Sequence, residues 1–290
     1  MDAGPLGGWQ GDPVPFTLAH PAAVLPLARG PLVPAALVAG SLSPDLPYFV
    51  PLPRSAGTWY EPFVNATTTH AWPGALTVAV PTAVVLLGLW CVVRAPLRAL
   101  VDPGDGTRGP AQARAARARA QADDPARRGL DPVGRGLVPA AWVLVSTVLG
   151  VLTHVAWDAF THGDGMVVQH VAWLREPLVG DVPAARVLQH ASTVVGLLAL
   201  AVWAVRTAVA WRARGGRLVL GRWRAVVLTV LGAAGVAGAV VGLVGAAGSG
   251  AEGALSAAAK TGGTTLAAAG LAAAALWWLG RLTGRRTAQP

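Results

Sequence analysis

Long apolar runs that are almost free of charge constrain this chain more than any other feature. Only 13% of its 290 residues are charged, about half the roughly 25% of an ordinary soluble domain. Helices satisfy their backbone groups internally, so runs of about 20 apolar residues cross bilayers as helices. The sequence therefore predicts an all-α, polytopic membrane bundle with five long spans. The five runs are Ala75–Val93, Leu137–Thr153, Ala191–Val209, Ala225–Ala247 and Thr264–Leu279.

A sixth apolar stretch, Pro21–Leu42, has the length of a span but is interrupted by helix-breaking residues. These are Pro26, Gly30, Pro31 and Pro34. Because proline breaks helices and a Gly-Pro pair favours a turn, we expect two short helices, about Thr17–Ala28 and Leu32–Leu42. Folded back as a re-entrant hairpin, they would return His20 to the side that carries Asp45. Such a hairpin must be sheltered by other helices, since free backbone groups cannot face lipid.

The arginines predict how the spans are oriented. Nine arginines lie in Arg94–Gly136 and six in Arg206–Arg224, and three more follow Leu279. These basic segments alternate with the poorly basic segments His154–His190 and Gly248–Gly263. Since cytoplasmic loops carry the excess of Lys and Arg, the basic segments are expected in the cytoplasm, together with the C-terminus. The remaining loops then face outward from the cell (inner) membrane.

These landmarks divide the chain into five parts. The expected parts are a disordered leader (1–13), an N-terminal membrane part (14–93) with an external loop (43–72), an Arg-rich cytoplasmic loop (94–136), a second membrane part (137–210) with an external His/Asp segment (154–190), and a Gly/Ala-rich two-helix part (211–290). Glycines at 232, 235, 238, 242 and 245 favour close packing of that last helix pair. The Arg-rich loop suits anionic lipid headgroups. It also holds five Asp and no interleaved aromatic residue, which disfavours nucleic-acid binding.

Three ionisable residues, spaced four positions apart, lie at the end of a predicted span: His154, Asp158 and His162. Residues at this spacing share one helix face, and ionisable groups near lipid are costly enough to suggest function. His154 and Asp158 lie about 6 Å apart along the helix, so both can reach one cation. His162, about 12 Å from His154, would bind a second ion, hydrogen-bond to a ligand of the first ion, or transfer protons to and from the substrate. The competing interpretation is that each His merely occupies an amphipathic membrane edge.

The candidate ligands offer nitrogen and oxygen but no thiolate, because Cys91 is the only cysteine and lies within an apolar run. That excludes a disulfide and a Cys-based zinc site. A set of imidazole and carboxylate ligands favours zinc, with manganese or iron as alternatives.

Several motifs, taken in order, resemble one bacterial family of multi-pass membrane proteins catalogued as a domain of unknown function. The resemblance covers about residues 14–210 and leaves the Arg-rich loop and the last two spans outside. The motifs are Pro15-Phe16-Thr17-Leu18-Ala19-His20-Pro21-Ala22, Gly40-Ser41-Leu42-Ser43-Pro44-Asp45, Thr69-His70, the run from His154 to His162, Val168-Gln169-His170 and Leu188-Gln189-His190.

More distantly, the order of these residues is similar to inner-membrane proteins named membrane-bound metal-dependent hydrolases. That resemblance implies five metal ligands. They are His20, Asp45, His70, His154 and Asp158. The chain departs from that family after Pro44-Asp45, where Leu46 and Pro47 stand in place of a further acidic ligand.

These observations lead to a functional hypothesis, a metal-dependent hydrolase of the outer leaflet. His162 or His170 would be the general acid-base residue, because imidazole titrates near neutral pH. The expected partners are the bilayer and a lipid-linked or periplasmic substrate, with no nucleic acid. One alternative is a non-catalytic membrane protein with a structural or sensory metal site. A transporter ranks third, since it would need ionisable or broken-helix features within several spans.

Overall fold

The computed structural model describes residues 19–50, 52, 57–101, 137–213, 216 and 221–286. The expected leader, the Arg-rich loop beyond Val101 and the start of the first hairpin helix at Thr17 lie outside these residues. The described part is almost entirely helical. Its helices are α1 (His20–Val24), α2 (Pro34–Leu42), α3 (Glu61–Val64), α4 (Ala66–His70), α5 (Val80–Val101), α6 (Leu137–Thr161), α7 (Met166–His170), α8 (Ala172–Arg175), α9 (Ala184–Ala213), α10 (Arg222–Gly245) and α11 (Gly250–Arg286).

Five of these helices, α5, α6, α9, α10 and α11, are long and apolar enough to cross a membrane. This confirms the predicted all-α bundle with five long spans. The helices run further than the apolar runs. Helix α6 continues past Thr153 to Thr161, α9 begins at Ala184 and not near Ala191, and α11 begins 14 residues before Thr264, at Gly250. Hydropathy marks the lipid-facing stretch only, whereas a helix continues until a breaker such as Gly163 or Pro183 ends it.

The N-terminal hairpin forms as predicted, although its first helix is short. Helix α1 passes into a 3-10 turn, Leu25–Leu27, and the chain reverses at Gly30, whose φ of 61° favours glycine. Pro34 then begins α2. Helix α2 packs against α5 and α6, and α1 packs against α9 and α6. The two short helices are thus enclosed by long ones, as their backbone requires.

Close contact between α2 and α6 depends on two glycines. A Cβ on Gly40 would lie 2.3 Å from the carbonyl oxygen of Thr147, and one on Gly150 would lie 2.3 Å from that of Leu37. The amide of Val33, at the start of α2, donates to the Ser146 hydroxyl (2.8 Å). A backbone donor left free by the proline-broken helix is satisfied in this way.

The connections at one end of the bundle are short, folded segments. A 3-10 helix, Ser43–Tyr48, leads towards α3 and α4, and a π turn, Ala75–Ala79, opens α5. After α6, helices α7 and α8 precede a small antiparallel pair, β1 (Pro177–Val179) and β2 (Val182–Pro183). The segments predicted as external loops therefore carry helical turns and one small strand pair.

Helices α10 and α11 pack closely together. Of the five glycines in α10, Gly238 and Gly242 make the tightest approaches, since added Cβ atoms would lie 2.0 Å from the Thr265 hydroxyl and 2.3 Å from the Ala257 carbonyl. Gly232 and Gly245 face open space among the described residues, so the predicted glycine seam is shorter than five positions. Helix α11 also reaches the rest of the bundle, where the Trp278 indole donates to the Val92 carbonyl (3.1 Å).

Candidate metal centre

Four side chains from three separate parts of the chain converge at the end of the bundle where the 3-10 helix and α4 meet α6. Each of Asp45, His70, His154 and Asp158 offers one ligand atom, and these four atoms lie within 4.8 Å of one another. Asp45 comes from the 3-10 helix, His70 from α4, and His154 and Asp158 from adjacent turns of α6. The predicted clustering of Asp158 with both Asp45 and His70 is confirmed. We call these four residues the His/Asp cluster.

The orientation of His154 is fixed by a backbone carbonyl. Its Nδ1 lies 2.7 Å from the carbonyl oxygen of Ser41, so Nδ1 carries the proton and donates it. His154 is 1% exposed, so water does not compete for this hydrogen bond. Nε2 therefore points into the cluster.

His70 is oriented in the same way from the other side. Its Nδ1 donates to the carbonyl oxygen of Ala66 (2.8 Å), within α4. The turn that carries His70 is attached to the 3-10 helix by Thr69, whose hydroxyl lies 2.6 Å from the Pro44 carbonyl oxygen, next to Asp45. In metal-binding histidines the N–H of the second ring nitrogen commonly donates a hydrogen bond to such an oxygen, and this fixes the tautomer.

In both histidines the ring nitrogen that faces the cluster is Nε2. Nε2 of His70 and Nε2 of His154 lie 3.1 Å apart, and because both Nδ1 protons are engaged, each ring in its neutral form would present a lone pair on Nε2. Two lone pairs at this separation repel unless a proton or a cation lies between them. Both nitrogens also lie 3.1–3.4 Å from carboxylate oxygens of Asp45 and Asp158. The cluster thus has the charge and the lone pairs that a divalent cation requires.

The two carboxylates are buried and incompletely satisfied. Asp45 is 2% exposed, and its Oδ2 has no hydrogen-bond partner among the described residues. Burial alone would raise the pKa of Asp45, but His154 and His70 hold it well below its usual range. Burial would likewise lower the pKa of His70, but hydrogen bonds to Asp158 and Asp45 raise it to about 9. A cation bound here would satisfy this buried carboxylate oxygen.

His20 reaches the cluster, as the resemblance and the hairpin together predict. Its ring stacks on that of His154 with centroids 3.9 Å apart, and its Nε2 lies 3.5 Å from Oδ1 of Asp158. Burial, reinforced by His154, lowers the pKa of His20 to about 4, so its imidazole is neutral near pH 7. A neutral imidazole is the form that binds metal. His20 borders the four-residue group and does not belong to it.

His162 contacts the cluster from outside it. Its Nδ1 lies 3.5 Å from Oδ1 of Asp158, and its Nε2 lies 3.1 Å from the side-chain nitrogen of Gln189. An amide nitrogen can only donate, so Gln189 donates to Nε2 and the His162 proton is on Nδ1, which also lies 3.4 Å from the Thr161 hydroxyl. His162 is not one of the four residues whose ligand atoms lie together.

Gln189 is a residue of the site that sequence reasoning missed. His190 is exposed on α9, where its Nε2 lies 3.7 Å from Glu252. Gln189 is buried beside His162. The motif Leu188-Gln189-His190 was the sequence feature that could have indicated Gln189. His170 is also exposed and donates to the Met166 carbonyl, and among the described residues it makes no hydrogen bond or ion pair with the cluster.

Comparison with known proteins gives one match. The family model of a domain of unknown function, DUF4184, matches residues 14–275. No curated protein and no solved structure matches the chain. The match extends beyond the expected boundary near residue 210 and includes the Arg-rich loop, α10 and most of α11, so the expectation that these lie outside the family was wrong. Since the model covers most of the chain, this multi-pass membrane protein belongs to the DUF4184 family.

Proposed function

We propose that the protein binds one divalent metal ion through Asp45, His70, His154 and Asp158 and uses it to hydrolyse an ester or phosphate ester at the membrane surface. The observation that carries the proposal is the approach of two Nε2 atoms, 3.1 Å apart, between two buried carboxylates. His20 adds a neutral imidazole at the border of the site and is proposed as a fifth ligand.

Zinc is the proposed ion. The donor set contains imidazole and carboxylate groups only, which zinc accepts readily and which manganese and iron also accept. Two carboxylates offset the charge of a divalent cation, and this offset lowers the cost of holding it in a buried place.

A bound ion would supply Lewis acidity, lowering the pKa of water towards 7 and polarising a substrate oxygen. Hydrolysis adds the hydroxyl of water to the acyl carbon or phosphorus, breaks the bond to the leaving oxygen and gives that oxygen a proton. His162 is the proposed carrier of this proton, because Gln189 and Asp158 fix its orientation beside the cluster. His170 stays a weaker candidate, since its ring bonds within its own helix.

The side of the membrane is proposed from charge. The basic segments alternate with the segments that carry the cluster, and under the positive-inside rule this supports a site on the extracytoplasmic face. A site at the end of α6 is then accessible from the outer leaflet.

A second function is favoured by burial. His154 and Asp45 are almost inaccessible, as in a metal site that only holds helices together. Such a site would tie α4, α6 and the 3-10 helix without any turnover.

Metal content and turnover of the purified protein test both functions. We expect about one metal per wild-type chain, and about tenfold less in Asp158→Asn, which keeps the size but loses the charge. His190→Ala, exposed on α9, is the matched control and should keep its metal. Ion-free wild-type protein would disprove the metal site.

Turnover on a panel of carboxylic and phosphate esters then separates the two functions. His162→Ala should retain the metal and lose at least about tenfold in rate. A fully loaded protein that hydrolyses no member of the panel would indicate the structural site.

A further inference from the structure

We infer that a cleft between α1, α6 and α9 holds one acyl chain of a membrane phospholipid, with the headgroup at the metal centre. The inference rests on the proposed function and adds a substrate class and a route of entry. The cleft has a volume of about 280 Å³, and His20 and Asp158 form part of its wall. It thus leads directly to the one carboxylate that both His70 and His162 contact.

Polarity changes along the cleft. On α9 the lining begins with Gln189, Ser192 and Thr193 and continues with Gly196 and Ala199. Ten residues of helix cover about 15 Å, so the wall passes from hydrogen-bonding to apolar over that distance. The polar end lies at the cluster, because Gln189 contacts His162 there. An amphiphile matches this gradient if its polar group binds at the cluster and its chain lies along α9.

Small side chains create the space. Ala19, Ala22 and Ala23 of the α1 region face Gly196 and Ala199 across the cleft. At Gly196 the two elements nearly touch, since an added Cβ would lie 2.9 Å from the Ala19 Cβ. This contact joins α1 to α9 along one side of the cleft, and the small side chains around it leave the remaining space open.

The cleft opens onto the lipid-facing surface of the bundle. Val195 lines it and is 64% exposed, and the neighbouring Val194 and Leu198 are 58% and 60% exposed. Within a membrane span such a surface is covered by lipid. Trp157 stands at the rim, and its indole donates to the Ser192 hydroxyl (3.2 Å), which links α6 to α9 beside the opening. Lipid can therefore enter sideways.

A phospholipid satisfies the polar end because its ester and phosphate oxygens are ligands that a divalent cation accepts. Ser192 and Thr193 already donate to the Gln189 carbonyl, so a charged headgroup would depend on the ion for its main attraction. The chain then contributes binding energy through apolar burial against the alanines.

Photo-crosslinking in vesicles tests the inference. The zinc-loaded full chain is reconstituted in vesicles of phosphatidylethanolamine and phosphatidylglycerol. A fraction of the phosphatidylglycerol carries a photoreactive diazirine in one acyl chain. After illumination, the labelled peptides are mapped by mass spectrometry. Ala199→Phe fills the apolar end of the cleft. Ala201→Phe, exposed on the same helix about 200° around it, is the matched control.

We expect labelling of the α1 and α9 cleft residues to fall at least about fivefold in Ala199→Phe, because an extra ring overfills the passage, and to be unchanged in Ala201→Phe. Metal content should match wild type in both. Equal labelling of the cleft in both variants would overturn the inference. Cleft labelling without turnover of any ester supports the lipid site and disproves the hydrolase. Turnover of a soluble ester without cleft labelling supports the hydrolase and disproves the lipid site.

Discussion

Gly150 is not a candidate ligand, yet its replacement by alanine should weaken the metal site. The added Cβ would lie 2.3 Å from the carbonyl oxygen of Leu37, about 1.1 Å short of ordinary contact at 3.4 Å. Both groups belong to helix backbones, so α2 must move away from α6 by about that distance, at a cost of about 1–3 kcal/mol.

That movement reaches the site through Ser41. The Ser41 carbonyl, four residues along α2 from Leu37, lies 2.7 Å from Nδ1 of His154. A shift of about 1 Å stretches this bond past useful length and frees the ring. Loss of such an orienting contact typically costs 10–100-fold in metal affinity, and we expect a decrease of that size in Gly150→Ala.

A chelator-competition titration of zinc, beside thermal unfolding in detergent, measures both effects. Gly88→Ala in α5 is the control, because its Cβ would meet nothing within 4 Å. It should keep wild-type affinity and gain up to about 1 kcal/mol from helix propensity. If Gly150→Ala unfolds more easily but binds zinc as tightly as wild type, the Ser41 contact does not orient His154.

Two further predictions concern protons and topology. The pKa of His70 is raised from 6.5 to about 9 in the folded, ion-free protein, so its protonation stabilises the fold fully below pH 6.5 and this contribution is lost as pH rises through 9. Zinc must displace that proton, so its apparent affinity should rise about tenfold per pH unit between 6.5 and 8.5; a flat titration would mean that His70 is not a ligand. The topology can be tested with single cysteines introduced at Arg117 and Ser249 in a Cys91→Ser background. An impermeant thiol reagent added to intact cells should label the cysteine at position 249 and leave the one at position 117 unlabelled. Labelling of 117 alone would invert the topology and place the site in the cytoplasm.

The spans and the hairpin could be predicted from sequence because their causes are local. A run of apolar residues commits a segment to lipid wherever the rest of the chain lies, and Pro31 and Pro34 prevent a continuous helix in any context. The boundaries were less accurate, since a helix such as α9 continues outside the apolar core until a breaker stops it. Hydropathy does not register that extension.

Half of the His/Asp cluster could also be predicted locally. His154 and Asp158 are one helical turn apart, and the i, i+4 spacing alone places them on one face. His20, Asp45 and His70 entered through the order of motifs, by resemblance. Nothing in their local sequence states which turn of which helix they meet, because contacts across more than 80 residues depend on how the helices pack.

Only the tertiary structure decided the details that give the site its chemistry. The Gly40–Gly150 approach brings the Ser41 carbonyl to His154, and Thr69 attaches the turn of His70 to the residue before Asp45. These contacts select the tautomers that direct two Nε2 atoms at one point. The packing of α9 beside α6 likewise puts Gln189 in contact with His162 and leaves His190 beside Glu252. Sequence determines which residues are capable of the chemistry, whereas hydrogen-bond geometry, which exists only after the helices pack, determines which of them face one another.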